Sequence, residues 1–126
     1  MLTAEQIAAA KKGFRYSHPA DTVHEHDDCI RMAYEWLDAQ MTIATPNRKL
    51  RPLKHIIEKW AGRYISQSDV EVAASMHPRI SGTYPIFNLS ARLVLPSDQR
   101  LKDIGEALTQ GYRERLEPEV YATREG

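Results

Sequence analysis

The sequence predicts a mainly α fold: a single compact domain of about five or six helices with at most a short strand or hairpin. The chain has 126 residues, the length of one domain, and should remove roughly two-thirds of its unfolded surface from water. Hydrophobic residues make up 42% and charged residues 27%, as in soluble globular proteins. Several stretches place apolar residues three and four positions apart, between residues that start and stop helices.

Residues 1–24 are predicted to form an N-terminal helix and a connector. Thr3 and Gln6 match a capping box, so the helix should span residues 4–12 and end at Gly13. Proline and small polar residues make the rest of this segment irregular. Two aromatic residues are expected to pin the connector to the body: Phe14 and Tyr16.

The stretch HEHDDC, from His24 to Cys29, has two interpretations. Its residue types are those of a metal site, but His24 and His26 diverge at the start of a helix. A helix start explains more, because Asp27 and Asp28 complement the positive end of the helix dipole. We therefore predict a helix start with no bound metal or cofactor, and keep metal binding as a third functional alternative.

The second helix carries an apolar stripe over about three turns. Its residues are Ile30, Ala33, Tyr34, Leu37 and Met41. Trp36 lies off this stripe, and an exposed tryptophan is a typical anchor for a protein partner. The alternative is that Trp36 packs against Phe14 of the connector. Trp36 is the candidate partner-binding residue.

A basic loop at residues 42–52 precedes two further helices. Pro52 opens the third helix, and Gly62 ends it. Its buried face is predicted to contain Leu53, Ile56, Ile57 and Trp60. The fourth helix should run from Asp69 to Met76, since the Pro78 that follows His77 prevents its continuation. Two residues match its capping box: Ser68 and Glu71.

Residues 84–95, YPIFNLSARLVL, fit two structures. Alternating apolar and polar residues are typical of a strand, but such a strand would need a partner from another chain, which predicts a homodimer. As a helix the segment has Pro85 near its start and Pro96 as its stop. We predict a helix here. Ser97 then caps a last helix, which closes the helical core of residues 25–116 and leaves a loose tail at 117–126.

Charge and motifs limit the functional classes. Seventeen basic and seventeen acidic residues cancel, yet residues 21–38 hold six acids against one base, and residues 48–63 hold six bases against one acid. The pair His55 and Glu58 on one helix face is ordinary surface chemistry, and phosphate-loop and nucleophile-elbow motifs are absent. No apolar run approaches the roughly 20 residues of a membrane span. We expect a cytoplasmic protein that is not an enzyme and has no membrane contact.

The basic third helix and the two helices after it resemble a helix-turn-helix or winged-helix unit over residues 53–95. In that family the second helix of the motif enters the major groove, and phosphate contacts come from the helix start before it. The resemblance implies four side chains directed toward DNA: Thr83, Tyr84, Asn88 and Arg92. Phosphate contacts would come from Lys54, Arg63, Ser66 and Gln67, and Arg79 completes the DNA-binding set.

The first functional hypothesis is therefore a small DNA-binding regulator with duplex DNA as its partner. In general style the sequence resembles small proteins of bacterial plasmids and prophages, which suggests a mobile element as its source. The alternative is a protein-interaction or inhibitor module that acts through its charged faces and an exposed tryptophan.

Overall fold

Four α-helices form the body of the protein in a computed structural model that describes residues 1–126. The helices are α1 (Ala4–Gly13), α2 (Asp27–Asp38), α3 (Lys54–Ala61) and α4 (Gln67–Met76). The strands are β1 (Gly82–Thr83), β2 (Ile86–Phe87), β3 (Val94–Leu95) and β4 (Thr123–Arg124). Short 3₁₀ turns lie at Pro19–Asp21, Asp98–Leu101, Gly111–Arg115 and Pro118–Val120. The protein is thus a small domain with fewer helices than predicted.

The start of α1 and the end of α3 follow the predicted signals, whereas α3 begins at Lys54, two residues after the predicted start at Pro52. Thr3 and Gln6 form a capping box in which the side chain of each accepts the backbone amide of the other. Gly62 ends α3 with a left-handed φ of 68°. A Cβ atom at Gly62 would lie 2.8 Å from the Cα atom of Leu108, so glycine is required there for both conformation and space.

The start of α4 differs from the prediction by two residues. Ser66 and Asp69, rather than Ser68 and Glu71, form its capping box, with both reciprocal bonds at 3.1 Å. The Ser-x-x-acid pattern occurs twice in succession, and the earlier copy caps the helix. The predicted end at Met76 is confirmed.

The core is built around α2, which packs against α1, α3 and α4. Three residues of the predicted stripe, Ile30, Ala33 and Leu37, are buried, and Tyr34 is partly buried. Met41 lies beyond the helix end and is 45% exposed. The largest fully buried side chains include Trp36, Trp60, Ile30, Leu37, Leu53 and Ile57. No helix has both the length and the apolar composition of a membrane-spanning segment.

The predicted helix at residues 84–95 is wrong. Strands β1 and β2 form an antiparallel hairpin on either side of a cis Tyr84-Pro85 peptide bond, and β3 pairs in parallel with β4. Leu89 forms a further antiparallel bridge with Thr42. The alternating pattern therefore did indicate extended structure. Its partners come from three places within the chain, so no second chain is needed to complete its hydrogen bonds.

The predicted last helix and loose tail are also wrong. After the 3₁₀ turn at Asp98–Leu101, the backbone amides of Leu108 and Gln110 donate to the carbonyls at the end of α3 instead of continuing a helix. The tail supplies β4, and the Tyr121 hydroxyl accepts a hydrogen bond from Trp36 at 3.0 Å. The C-terminal ten residues are part of the packed structure because they complete the edge of β3 and cover Trp36.

Candidate functional site

The stretch from His24 to Cys29 starts α2, as predicted. The imidazole of His26 caps the helix by accepting the backbone amide of Asp28 at 2.9 Å. Cys29 is fully buried, and its thiol donates to the Tyr64 carbonyl at 3.4 Å. Burial raises the pKa of the Cys29 thiol to about 12, so the thiol stays protonated. The side chains diverge, and the structure contains no group of three metal-ligating residues.

His24 joins a hydrogen-bonded chain that fastens the connector to α4. Its Nδ1 atom lies 2.8 Å from a carboxylate oxygen of the fully buried Asp69, and its Nε2 atom contacts the Tyr16 hydroxyl. An acid-imidazole-hydroxyl chain can activate a nucleophile. Here burial, together with the charges of Asp69 and Glu71, raises the pKa of Tyr16. The phenol therefore keeps its proton, and the chain holds the connector in place.

The residues that were expected to read bases do not form a helix surface. Asn88 is buried, and its side chain bonds only to backbone atoms: it accepts from Ser81 and donates to the carbonyls of Arg79 and Ile43. The Tyr84 hydroxyl accepts the backbone amide of Lys54 at 3.2 Å. Both side chains are occupied in holding the hairpin against its neighbours, so the predicted base-reading role has no support in their geometry.

Two of the residues predicted to contact phosphate form ion pairs within the protein instead. Arg63 is 8% exposed and pairs with Glu25 and Glu106, each at 3.1 Å. The Lys54 ammonium pairs with Glu58 at 3.0 Å and lies 4.3 Å from the centre of the Tyr64 ring. The Arg63 pairs join separate segments, the Lys54 pair lies within α3, and both leave little charge for a ligand.

The remaining DNA-binding candidates divide into engaged and free side chains. Ser66 caps α4, Gln67 donates to Glu71 at 3.3 Å, and Arg79 pairs with Asp38 at 3.1 Å. The two residues that are exposed without a side-chain partner are Thr83 and Arg92.

Trp36, the predicted partner anchor, is fully buried, so that prediction is wrong. Its indole nitrogen donates to the Tyr121 hydroxyl. The side chain lies off the predicted stripe but still faces protein, because the C-terminal segment covers this side of α2. Sequence periodicity alone could not show this cover, since it comes from residues 85 positions away.

A different surface is formed by two loops, residues 39–53 and 78–97, which we call the paired loops. They are joined by backbone hydrogen bonds of 2.8 Å from Ile43 to Asn88, from Asn47 to Phe87 and from Ser90 to Met41. Neither loop contains an aspartate or a glutamate. The basic run follows Asn47, which pairs with Phe87 at one end of the contact, and Arg92 follows Ser90, which pairs with Met41 at the other end.

The paired loops carry four exposed basic side chains without any hydrogen bond or ion pair within the protein. They are Arg48, Lys49, Arg51 and Arg92. One of the four, Arg51, acts on an acid outside the loops: the pKa of Glu117 is lowered by its hydrogen bond and ion pair with Lys59 and to a lesser degree by Arg51. Of these four residues, only Arg92 was predicted from the sequence to contact DNA. The usable signal was the absence of acids from both segments, together with the strand pattern that pairs them.

No protein family, no curated protein and no solved structure matches this chain.

Proposed function

We propose that the protein is a non-enzymatic module that binds a polyanion, duplex nucleic acid, on the paired loops. The observation that carries this proposal is the set of four unpartnered bases on two acid-free loops. In an overall neutral protein whose other basic clusters are largely paired, this surface has a local positive field. Phosphate groups would supply the opposite charge that the chain itself does not provide.

The expected mode of binding is independent of base sequence. Arg48 and Lys49 follow Asn47, whose side chain donates to the Leu89 carbonyl at 3.1 Å and fixes the loop. Long basic side chains on a fixed loop suit contacts with phosphate groups. Asn88, the amide that was expected to recognise adenine, is buried and fully bonded. The contacts would therefore position the protein on the backbone and specify no base.

Binding to a duplex of mixed sequence, measured over a series of salt concentrations, tests the proposal. Affinity should fall with salt, with a log-log slope of about 0.9 for each phosphate neutralised. The variant Arg48→Gln with Lys49→Gln should reduce that slope by about two and weaken binding at low salt. The matched control is Lys12→Gln with Lys102→Gln, which removes two exposed and unpartnered charges elsewhere. Equal effects of the two double variants, or no binding at low salt, would contradict the proposal.

A second candidate function is binding to an acidic protein. Met41 and Ile43 lie on the first of the paired loops and are 45% and 41% exposed. Exposed apolar side chains beside basic ones are typical of a protein interface. In that case Met41→Ser with Ile43→Ser should weaken the complex with the acidic partner, whereas binding to duplex DNA should be nearly unchanged.

A further inference from the structure

A cleft of about 150 Å³ lies between the connector, α4 and the β1–β2 hairpin, apart from the paired-loop bases. A cavity of this size can accept a benzene-sized molecule. Its apolar walls include Phe14, Ile80, Tyr84 and Phe87. Two charged residues also line it: Glu71 and Arg15.

Glu71 differs from the other buried acids of the protein. Glu71 is 5% exposed, and its side chain accepts a single hydrogen bond, from the side-chain amide of Gln67 at 3.3 Å. The other buried acids each have a basic or imidazole partner within 2.8 Å: Asp28 pairs with Arg31, Glu58 with His55, and Asp69 with His24. Arg15 is exposed at the cleft and forms no ion pair with Glu71.

A buried carboxylate without a cation is unfavourable, because protein replaces its water and supplies no opposite charge. Here Glu71 is one of the residues that line an open cleft, so a cation in the cleft would lie close to it. The aromatic rings of Phe14, Tyr84 and Phe87 would attract the same cation through their π faces. The electrostatic effect of Glu71 also extends to the wall: after burial, its charge is among the causes that raise the pKa of Tyr84.

We propose that this cleft binds an organic cation, a primary ammonium group on a short apolar stem. The ammonium would pair with Glu71, and the stem would lie against the aromatic wall. The cleft shares residues of the second paired loop as one wall but uses none of the four exposed bases, so the proposal does not depend on the polyanion function.

The probe is n-butylammonium, titrated into the full-length protein and followed by amide chemical shifts in NMR spectra. A ligand with five non-hydrogen atoms should bind with a dissociation constant of roughly millimolar order. The shifts should concentrate at residues around the cleft. Butanol and butyrate, which share the stem without the positive charge, should bind at least about tenfold more weakly, because neither can pair with Glu71.

Two variants of the cleft should act in opposite directions. Glu71→Gln keeps the size of the side chain and removes its charge, so n-butylammonium affinity should fall at least about tenfold. Arg15→Gln removes a like charge beside the ligand, so affinity should rise about twofold. Glu114→Gln, at an exposed acid with no ion pair, is the matched control and should leave affinity unchanged. Spectra of the free variants establish that each is folded.

Equal binding of n-butylammonium and butanol would overturn the proposal, as would unchanged affinity in Glu71→Gln or shifts located away from the cleft. A pentapeptide with a central lysine, blocked at both ends, distinguishes the two sources of such a group. If the peptide binds and depends on Glu71, the natural ligand can be a lysine side chain of another protein. If n-butylammonium binds and the peptide does not, the cleft takes a free small amine.

Discussion

The acidic region and the paired loops each concentrate charge of one sign, but they differ in whether the fold supplies partners for that charge. In the acidic region, residues 21–38, five of the six acids form ion pairs within the protein. These pairs are Glu25 with Arg63, Asp27 with Lys11, Asp28 with Arg31, Glu35 with Arg100, and Asp38 with Arg100. In the paired loops, the bases Arg48, Lys49, Arg51 and Arg92 have no such partner. A run of charge in the sequence therefore does not by itself identify a binding face.

The difference follows from secondary structure. The acids lie on and before α2, the central helix. Neighbouring elements surround them and supply most of their basic partners, and Arg31 of α2 itself supplies another. The bases lie on loops at the surface, where nothing packs over them. The acidic region therefore stabilises the fold, and the paired loops remain available to a ligand.

The largest effect should come from Trp36, whose removal tests whether α2 is a structural element or a binding surface. We expect Trp36→Ala to lower the free energy of unfolding by about 3 to 5 kcal/mol, because it leaves a cavity under the C-terminal segment. Tyr121→Phe, which loses only the hydrogen bond to the indole, should cost about 1 kcal/mol. Chemical denaturation measures both values. A Trp36→Ala protein of normal stability would contradict the assignment of α2 to the core.

A smaller effect is expected at Arg100, an arginine that pairs with the acidic region and can be compared with the unpaired Arg92 of the paired loops. Its guanidinium binds Glu35, Asp38 and Glu125 at 2.6 to 2.9 Å and is 19% exposed. Arg100→Gln should cost about 2 to 3 kcal/mol, since it leaves carboxylates close together in a partly buried position. Arg92→Gln on the paired loops should change stability by less than about 0.5 kcal/mol. Similar costs at the two arginines would remove the contrast between the regions.

The sequence was sufficient to locate the four α-helices because local signals mark them, although α3 and α4 each start two residues away from the predicted position. Capping residues, a glycine stop and apolar spacing all act within a few positions. The extended segments after α4 could not be assigned in the same way. Apart from the local β1–β2 hairpin, their partners are Thr42 and residues 123–124, which are distant in sequence. The local pattern of residues 84–95 therefore fitted a helix as well as a strand.

The candidate site was harder to predict than the fold. Asn88 and Arg92 look equivalent in sequence, but one is buried and bonded to backbone and the other is exposed. Glu71 matches a capping-box pattern in the sequence but does not cap α4, and its burial beside the cleft is visible only in the structure. Burial and long-range partners decide both cases, and neither property is local in sequence.

The smallest expected effect is on the acid dependence of stability in the acidic region. Burial alone would raise the pKa of Asp38, but hydrogen bonds from His77 and Arg100 outweigh it, and the pKa lies below its usual value. Arg100 likewise lowers the pKa of Glu125. A carboxyl whose pKa is lower in the folded than in the unfolded protein stabilises the fold above the unfolded pKa and loses that effect as pH falls through the folded pKa.

Unfolding free energy should therefore decrease as the pH falls below about 4.5, and the decrease should be shallower in Arg100→Gln, where both pKa values return toward normal. Denaturation at a series of pH values between about 7 and 3 measures the slope, and Arg92→Gln should keep the slope of the unmodified protein. If both variants show the same shallow slope, the acid response belongs to overall charge and not to the Arg100 ion pairs.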